Sequence, residues 1–240
     1  MNLIKSTSTF GFFTLISRIL GYFRDLLIAI YLGSGPVADA FFVAFRIPNT
    51  FRRLFSEGTF NAAFVPSYSS ELVSGKEKAQ QFANKVFNLL LISLLLIVLI
   101  IEIFMPSFVF IIAPGFTENS EKLDLTILLT RITFPFLFFI CLSSFFSAIL
   151  NSHNKFAISA AAPIILNIFL ILTLLFQNYL NDQLVFYLSY AVTFAGIVQL
   201  IFLLFFIKRF YFPKITFSFK IDYKVKLFFK KLLPSIFSSG

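Results

Sequence analysis

Apolar runs of about 20 residues, the length that carries a helix across the hydrocarbon of a bilayer, recur along this chain and limit what it can become. They cover 10–32, 37–55, 86–112, 125–150, 156–176 and 184–207, and a seventh opens at Leu227 and is cut off at Gly240. Hydrocarbon offers no partner to a backbone N–H or C=O, so runs of this length are expected to be helices. The expectation is an all-α polytopic transmembrane bundle. It comprises a six-helix lobe over 1–207, a basic amphipathic cytoplasmic linker over 208–226 and the start of a truncated seventh helix over 227–240. A 58% hydrophobic and 13% charged composition agrees, since a soluble core could not enclose so much apolar side chain. Phe supplies 38 residues and Trp none. That bias reads as AT-rich coding and carries no functional weight.

The loops alternate in charge. Arg52, Arg53, Lys76, Lys78 and Lys85 follow the second run, Lys155 follows the fourth, and eight Lys/Arg lie between Lys208 and Lys231 after the sixth. Lys122 alone falls on the other side. With Lys5 ahead of the first run, the positive-inside rule puts the N-terminus in the cytoplasm and the loops GSGPVAD, APGFTENSEKLD and QNYLNDQ outside. The same rule accounts for the net charge of +9, so nucleic-acid binding is not expected. The cluster after the sixth run, with Phe and Tyr interleaved, reads as a segment lying on anionic lipid. Ser17 and Arg18 interrupt the first run and no small-residue cleavage site follows it, which argues against a signal peptide. The single cysteine, Cys141, excludes an internal disulfide and a CxxC metal site.

Charges remain inside the runs: Arg18, Arg24, Arg46 and Arg131, with Asp25, Asp39 and Glu102. Facing hydrocarbon, each would cost about 3 kcal/mol or more, so partners or a wet cavity are required. Ser17, Arg18, Gly21, Arg24 and Asp25 recur at helical spacing and share one face of the first helix. Arg24 lies roughly 21 Å along that run, too deep for easy escape to the surface. Asp39, Arg46, Asn49, Arg53 and Glu57 fall within about a quarter turn of one another on the second helix. Pro48 removes an amide donor there, frees the Ala44 carbonyl and predicts a kink within the polar stretch. Both stripes point to a shared hydrated cavity. The competing reading makes Arg24–Asp25 or Asp39–Arg46 structural ion pairs; for Glu102 and Arg131, each isolated in its own run, a structural role is the leading one.

The stretch SRILGYFRDLLIAIYLGSGPVADAFFVAFRIPNTFRRLFSEGTFNAAFVPSY, Ser17 to Tyr68, resembles the N-terminal signature of the MurJ/MviN family of the multidrug/oligosaccharidyl-lipid/polysaccharide exporter superfamily. APGF at Ala113, ITFPFLFF at Ile132, AILNSHNKFAISAAAPIILNI at Ala148 and LLPSI at Leu232 extend the resemblance over essentially the whole chain. It implies fourteen helices in two lobes around a V-shaped cavity in a bacterial inner membrane, with this chain as the first lobe of a lipid II flippase working by alternating access. It also implies that Arg18, Arg24 and Arg52 match the family's required basic residues, and that Asp25 and Asp39 lie in the same cavity. Ser17, Asn49, Arg53 and Glu57 match residues at or near it, while Arg46 departs from the family's usual lysine. The implied partners are lipid II, membrane lipid and a C-terminal lobe; no cofactor is implied.

The chemistry of such a cargo fits the residues. Lipid II carries a diphosphate, and arginine forks suit phosphate oxygens and stay protonated. A different polyprenyl-diphosphate-linked oligosaccharide would suit them too, whereas a drug-cation exporter favours carboxylates. An enzyme acting on a polyprenyl diphosphate needs an acidic metal cluster or a placed base, and the chain offers only His153 in the NSHNK turn, read as a solvated or locally bonded residue. No P-loop glycine pattern is present. The chain is therefore not expected to be an enzyme.

Overall fold

The fold is described from a computed structural model over residues 3–56, 59–180 and 183–216, with 223, 225–228 and 230; the side chains of 3–7, 47, 51–56 and 59 are outside that description. All regular structure among the described residues is helical. The order is α1 (Leu3–Leu32), α2 (Pro36–Ser56), α3 (Thr59–Val73), α4 (Lys76–Ile103), α5 (Met105–Ile112), a 3-10 turn (Pro114–Phe116), α6 (Ser120–Thr133), α7 (Phe136–Ser152), α8 (Phe156–Leu175), α9 (Gln177–Leu180) and α10 (Leu184–Ile207). Lys76–Ile103, Ser120–Ser152, Phe156–Leu175 and Leu184–Ile207 are long and apolar enough to cross a membrane. The second of these is α6 and α7 in succession. The helices α1 and α2 carry the charged stripes, so protein or water must share with lipid the solvation of their faces.

Local signals set the boundaries. Gly33 closes α1 at φ 65°, a left-handed conformation in which a Cβ is strained. Pro36 opens α2 where its missing N–H has no bond to lose. Asn119 caps α6 by accepting from the Lys122 amide at 3.0 Å. Two expected runs are divided: 86–112 breaks at Phe104 between α4 and α5, and 125–150 breaks at Phe134–Pro135 between α6 and α7. A proline stands in or just after each break, Pro135 and Pro106, and hydropathy alone does not register the amide it lacks. The helix α3 was not foreseen, because NAAFVPSYSSELV is too short and polar to read as a run and contains Pro66.

The backbone oxygens released by proline are taken up by other helices. Pro48 leaves the Ala44 carbonyl without its amide, and Thr133 Oγ1 donates to it at 2.9 Å. Pro106 does the same to the Glu102 carbonyl, to which Arg131 Nη1 donates at 2.8 Å. Both donors sit on α6. At the α6–α7 break, the Ile132 carbonyl accepts from Thr193 of α10 at 2.5 Å. Unsatisfied carbonyls in a low-dielectric interior would each cost about 1–3 kcal/mol, so these side chains hold the breaks open as defined joints.

The helix α7 is the centre of the lobe, buried along most of its length and surrounded by α2, α3, α4, α8 and α10. Gly196 of α10 faces it closely: a Cβ there would come within 2.6 Å of the Phe136 ring. Phe60, Phe64, Phe82, Phe145 and Phe228 form one aromatic cluster, with centroids 5.2–6.3 Å apart. The helix α1 packs chiefly on α8 and leaves Phe12, Leu15, Ile19, Phe23 and Ile30 exposed.

After α10 the chain runs extended through 211–216 along α4. Asn84 Oδ1 accepts from the Tyr211 hydroxyl at 2.5 Å and the Lys214 amide at 3.0 Å; Asn88 donates to the Lys214 carbonyl at 2.9 Å and accepts from the Thr216 amide at 2.7 Å. Residues 223, 225–228 and 230 are helical, with Val225 and Phe228 buried and Lys226 and Lys230 exposed.

Candidate functional site

The Arg24 guanidinium lies where α1, α8 and α2 meet, and its side chain is 12% exposed. Nε and Nη2 both donate to Asp25 Oδ1, at 2.9 and 2.7 Å. Nη1 donates to Asn167 Oδ1 of α8 at 2.8 Å. The Phe45 ring of α2 lies beneath, its centroid 5.5 Å from Cζ, a cation–π distance. Asn167 is buried, and its amide nitrogen donates to the Ser17 carbonyl at 2.9 Å. One asparagine therefore ties two turns of α1 together and fixes the direction of the arginine. Gly21 lies between those turns, where a Cβ would make only ordinary contacts of 3.8 and 3.9 Å with the Asn167 amide.

A guanidinium has five N–H donors. Among the described residues three are engaged, which leaves two for an anion, while Asp25, 65% exposed, keeps charge balance beside it. Arg24, Asp25 and Ser17 are thus brought into one constellation with Asn167. Arg18 is exposed on α1, Arg46 is exposed on α2 and Asn49 is half-buried on α2. Asp39 lies in the first turn of α2 and pairs with Lys122 Nζ of α6 at 2.6 Å, so the Asp39–Arg46 pair considered above does not form. Lys122 in turn sits 3.9 Å above the Phe116 ring. Lys122, expected in a loop, instead sits in the first turn of α6 and serves as an interhelical clamp. Arg52 and Arg53 lie on α2 with side chains outside the description, and Glu57 lies outside the described residues.

Sequence reasoning missed Asn167, Phe45 and Lys122. Asn167 had a signal, a lone amide inside AAAPIILNIFL; Phe45 had none among so many phenylalanines. Among the described residues, no cluster of His, Cys, Asp and Glu could hold a metal ion.

Comparison with known proteins completes the geometry. The family model described as lipid II flippase MurJ matches residues 28–240. The chain belongs to the MurJ family. A probable lipid II flippase MurJ of Rickettsia prowazekii (strain Madrid E) is 39% identical over 243 residues, covering 100% of this chain and 47% of that protein. One from Rhizobium tropici is 46% identical over 205 residues, covering 83% of this chain and 38% of the other. The solved structure of lipid II flippase MurJ in an inward closed conformation superposes with a TM-score of 0.76 at 32% identity, over 95% of this chain and 47% of that one. A MOP superfamily transporter from Pyrococcus furiosus, 20% identical with a TM-score of 0.68, shares the fold over 98% of this chain and 52% of its own. The chain spans about half the length of the MurJ relatives it matches. It is a multi-pass helical protein of the bacterial inner membrane.

Proposed function

We propose that this chain is the N-terminal lobe of a flippase that moves lipid II from the cytoplasmic to the outer leaflet by alternating access, with its N-terminus in the cytoplasm. The observation that carries the reading is the Arg24 cradle: a part-buried arginine held by Asp25, Asn167 and Phe45 with two donors to spare. A diphosphate is the part of lipid II that hydrocarbon rejects most strongly, and preorganised guanidinium donors offset its lost hydration. On this reading Arg18, Asp25, Asp39 and Asn49 belong to the same route, with Ser17 contributing through its backbone; the side chains of Arg52, Arg53 and Glu57, which the family resemblance adds, lie outside what is described there. The opposing wall comes from a C-terminal lobe, and rocking of one lobe against the other alternates access. The prenyl tail stays in lipid while the head group crosses.

The test joins this chain to the C-terminal half of a MurJ relative in cells depleted of their own flippase. The fusion supports growth, and Arg24→Ala abolishes it while the protein remains in the membrane at wild-type level. Arg24→Lys restores growth in part, because charge is kept and the fork is lost. Full growth with the alanine variant removes Arg24 from the transport site.

A further inference from the structure

A second place within the apolar helices holds charge: Glu102 at the end of α4 and Arg131 on α6. They sit in an open groove of about 560 Å³ lined otherwise by Leu95, Val98, Leu99 and Ile103. Leu95, Leu99 and Ile103 are 48%, 59% and 61% exposed. On a helix apolar enough to cross a membrane, that face meets lipid.

The pair is not closed. Arg131 Nη1 gives its hydrogen bond to the Glu102 backbone carbonyl at 2.8 Å, the oxygen released by Pro106. The Glu102 carboxylate is left with Oε2 at 3.9 Å from the same nitrogen, beyond hydrogen-bonding distance. Its Oε1 is buried without a hydrogen-bond partner. Among the described residues, no other charged side chain pairs with it. The helices α5 and α7, packed beside it, contain no Asp, Glu, Lys, Arg or His, and neither does α10. Glu71 of α3 lies near the Lys76 end of α4, with Glu77, Lys78 and Lys85 also toward that end; on α6, Glu121, Lys122 and Asp124 are at least two turns away, Lys122 being paired to Asp39 of α2. An ionised carboxylate with one loose counter-charge and one oxygen without a donor is poorly stabilised at this depth, and a proton removes the charge.

We propose that the Glu102 carboxyl is a reversible proton-binding site opening onto the lipid-facing groove, with Arg131 as its fixed counter-charge. Loading it leaves Arg131 held by the backbone carbonyl alone and so loosens the electrostatic link between α4 and α6. The proposal does not depend on the cargo.

The test uses dicyclohexylcarbodiimide, a lipid-soluble reagent that requires a protonated carboxyl: the acid proton passes to a carbodiimide nitrogen as the carboxyl oxygen adds to the central carbon. The full chain in phospholipid vesicles is labelled between about pH 5 and about pH 9, and adducts are mapped by peptide mass spectrometry. An adduct on Glu102 is expected, its rate falling about tenfold for each pH unit above the group's midpoint. Arg131→Met moves that midpoint upward, and Arg131→Lys leaves it closer to wild type. Absence of the Glu102 adduct throughout the range in wild-type protein, or an adduct whose rate does not change with pH, overturns the proposal.

Discussion

Thr133 Oγ1 donates at 2.9 Å to the Ala44 carbonyl, the backbone oxygen of α2 that Pro48 deprives of its amide. Thr133 is fully buried, so no water replaces it easily. Thr133→Val keeps the shape and deletes the donor; it is expected to lower stability by about 1–3 kcal/mol, while Thr133→Ser retains most of it. Thermal unfolding in detergent checks this, and equal midpoints for wild type and the valine variant would show that the oxygen finds another partner.

Asn167 holds Arg24 by one bond and Ser17 by another. Asn167→Asp preserves shape but puts a carboxylate against the guanidinium, which competes with a phosphate for the same charge. Lipid II affinity of the completed protein is expected to fall about tenfold or more, with the amount of inserted protein little changed. Unaltered binding, measured by titration with labelled lipid II, would mean that the cradle does not face the cargo.

The extended segment 211–216 is read by Asn84 and Asn88 through its backbone. Asn88→Leu removes the bonds to Lys214 and Thr216, and opening of this segment becomes about tenfold more frequent or greater. Limited trypsin digestion of solubilised protein follows this as cleavage after Lys214. A wild-type rate as fast as the variant's would show that the strap is already open.

His153 caps α7, stacks on Phe210 at 4.4 Å and lies 3.3 Å from the Tyr68 hydroxyl. Burial, and then the neighbouring Lys76 charge, lower its pKa from the ordinary 6.5. The unfolded chain therefore binds the proton at higher pH than the folded one, so stability is complete above about 6.5, declines as pH falls below it and levels off beneath the folded value. Midpoints recorded across that window should slope for wild type and lie flatter for His153→Gln. The same slope in both chains would assign the effect to another group.

Much of this was legible in the sequence, because membrane helices announce themselves by apolar length and the charged stripes of α1 and α2 by period. The Arg24–Asp25 adjacency followed from consecutive positions. What was not legible depends on partners distant in the chain. Asn167 reaches α1 across 150 residues of sequence to Ser17, and Lys122 meets Asp39 across 83. The fate of the Ala44 carbonyl could be posed from Pro48 alone, but its answer, Thr133, required the packing of α6 on α2. The division of the 86–112 run was marked by Pro106, whose missing amide no hydropathy profile records.

The most direct measurement of the central claim is the rate at which fluorescent lipid II crosses vesicles containing this chain joined to a MurJ C-terminal half. The account predicts accelerated crossing by the wild-type fusion and a loss of about tenfold or more with Arg24→Ala at equal protein content. Crossing no faster than in protein-free vesicles, or equal rates for the wild-type and alanine fusions, would contradict it.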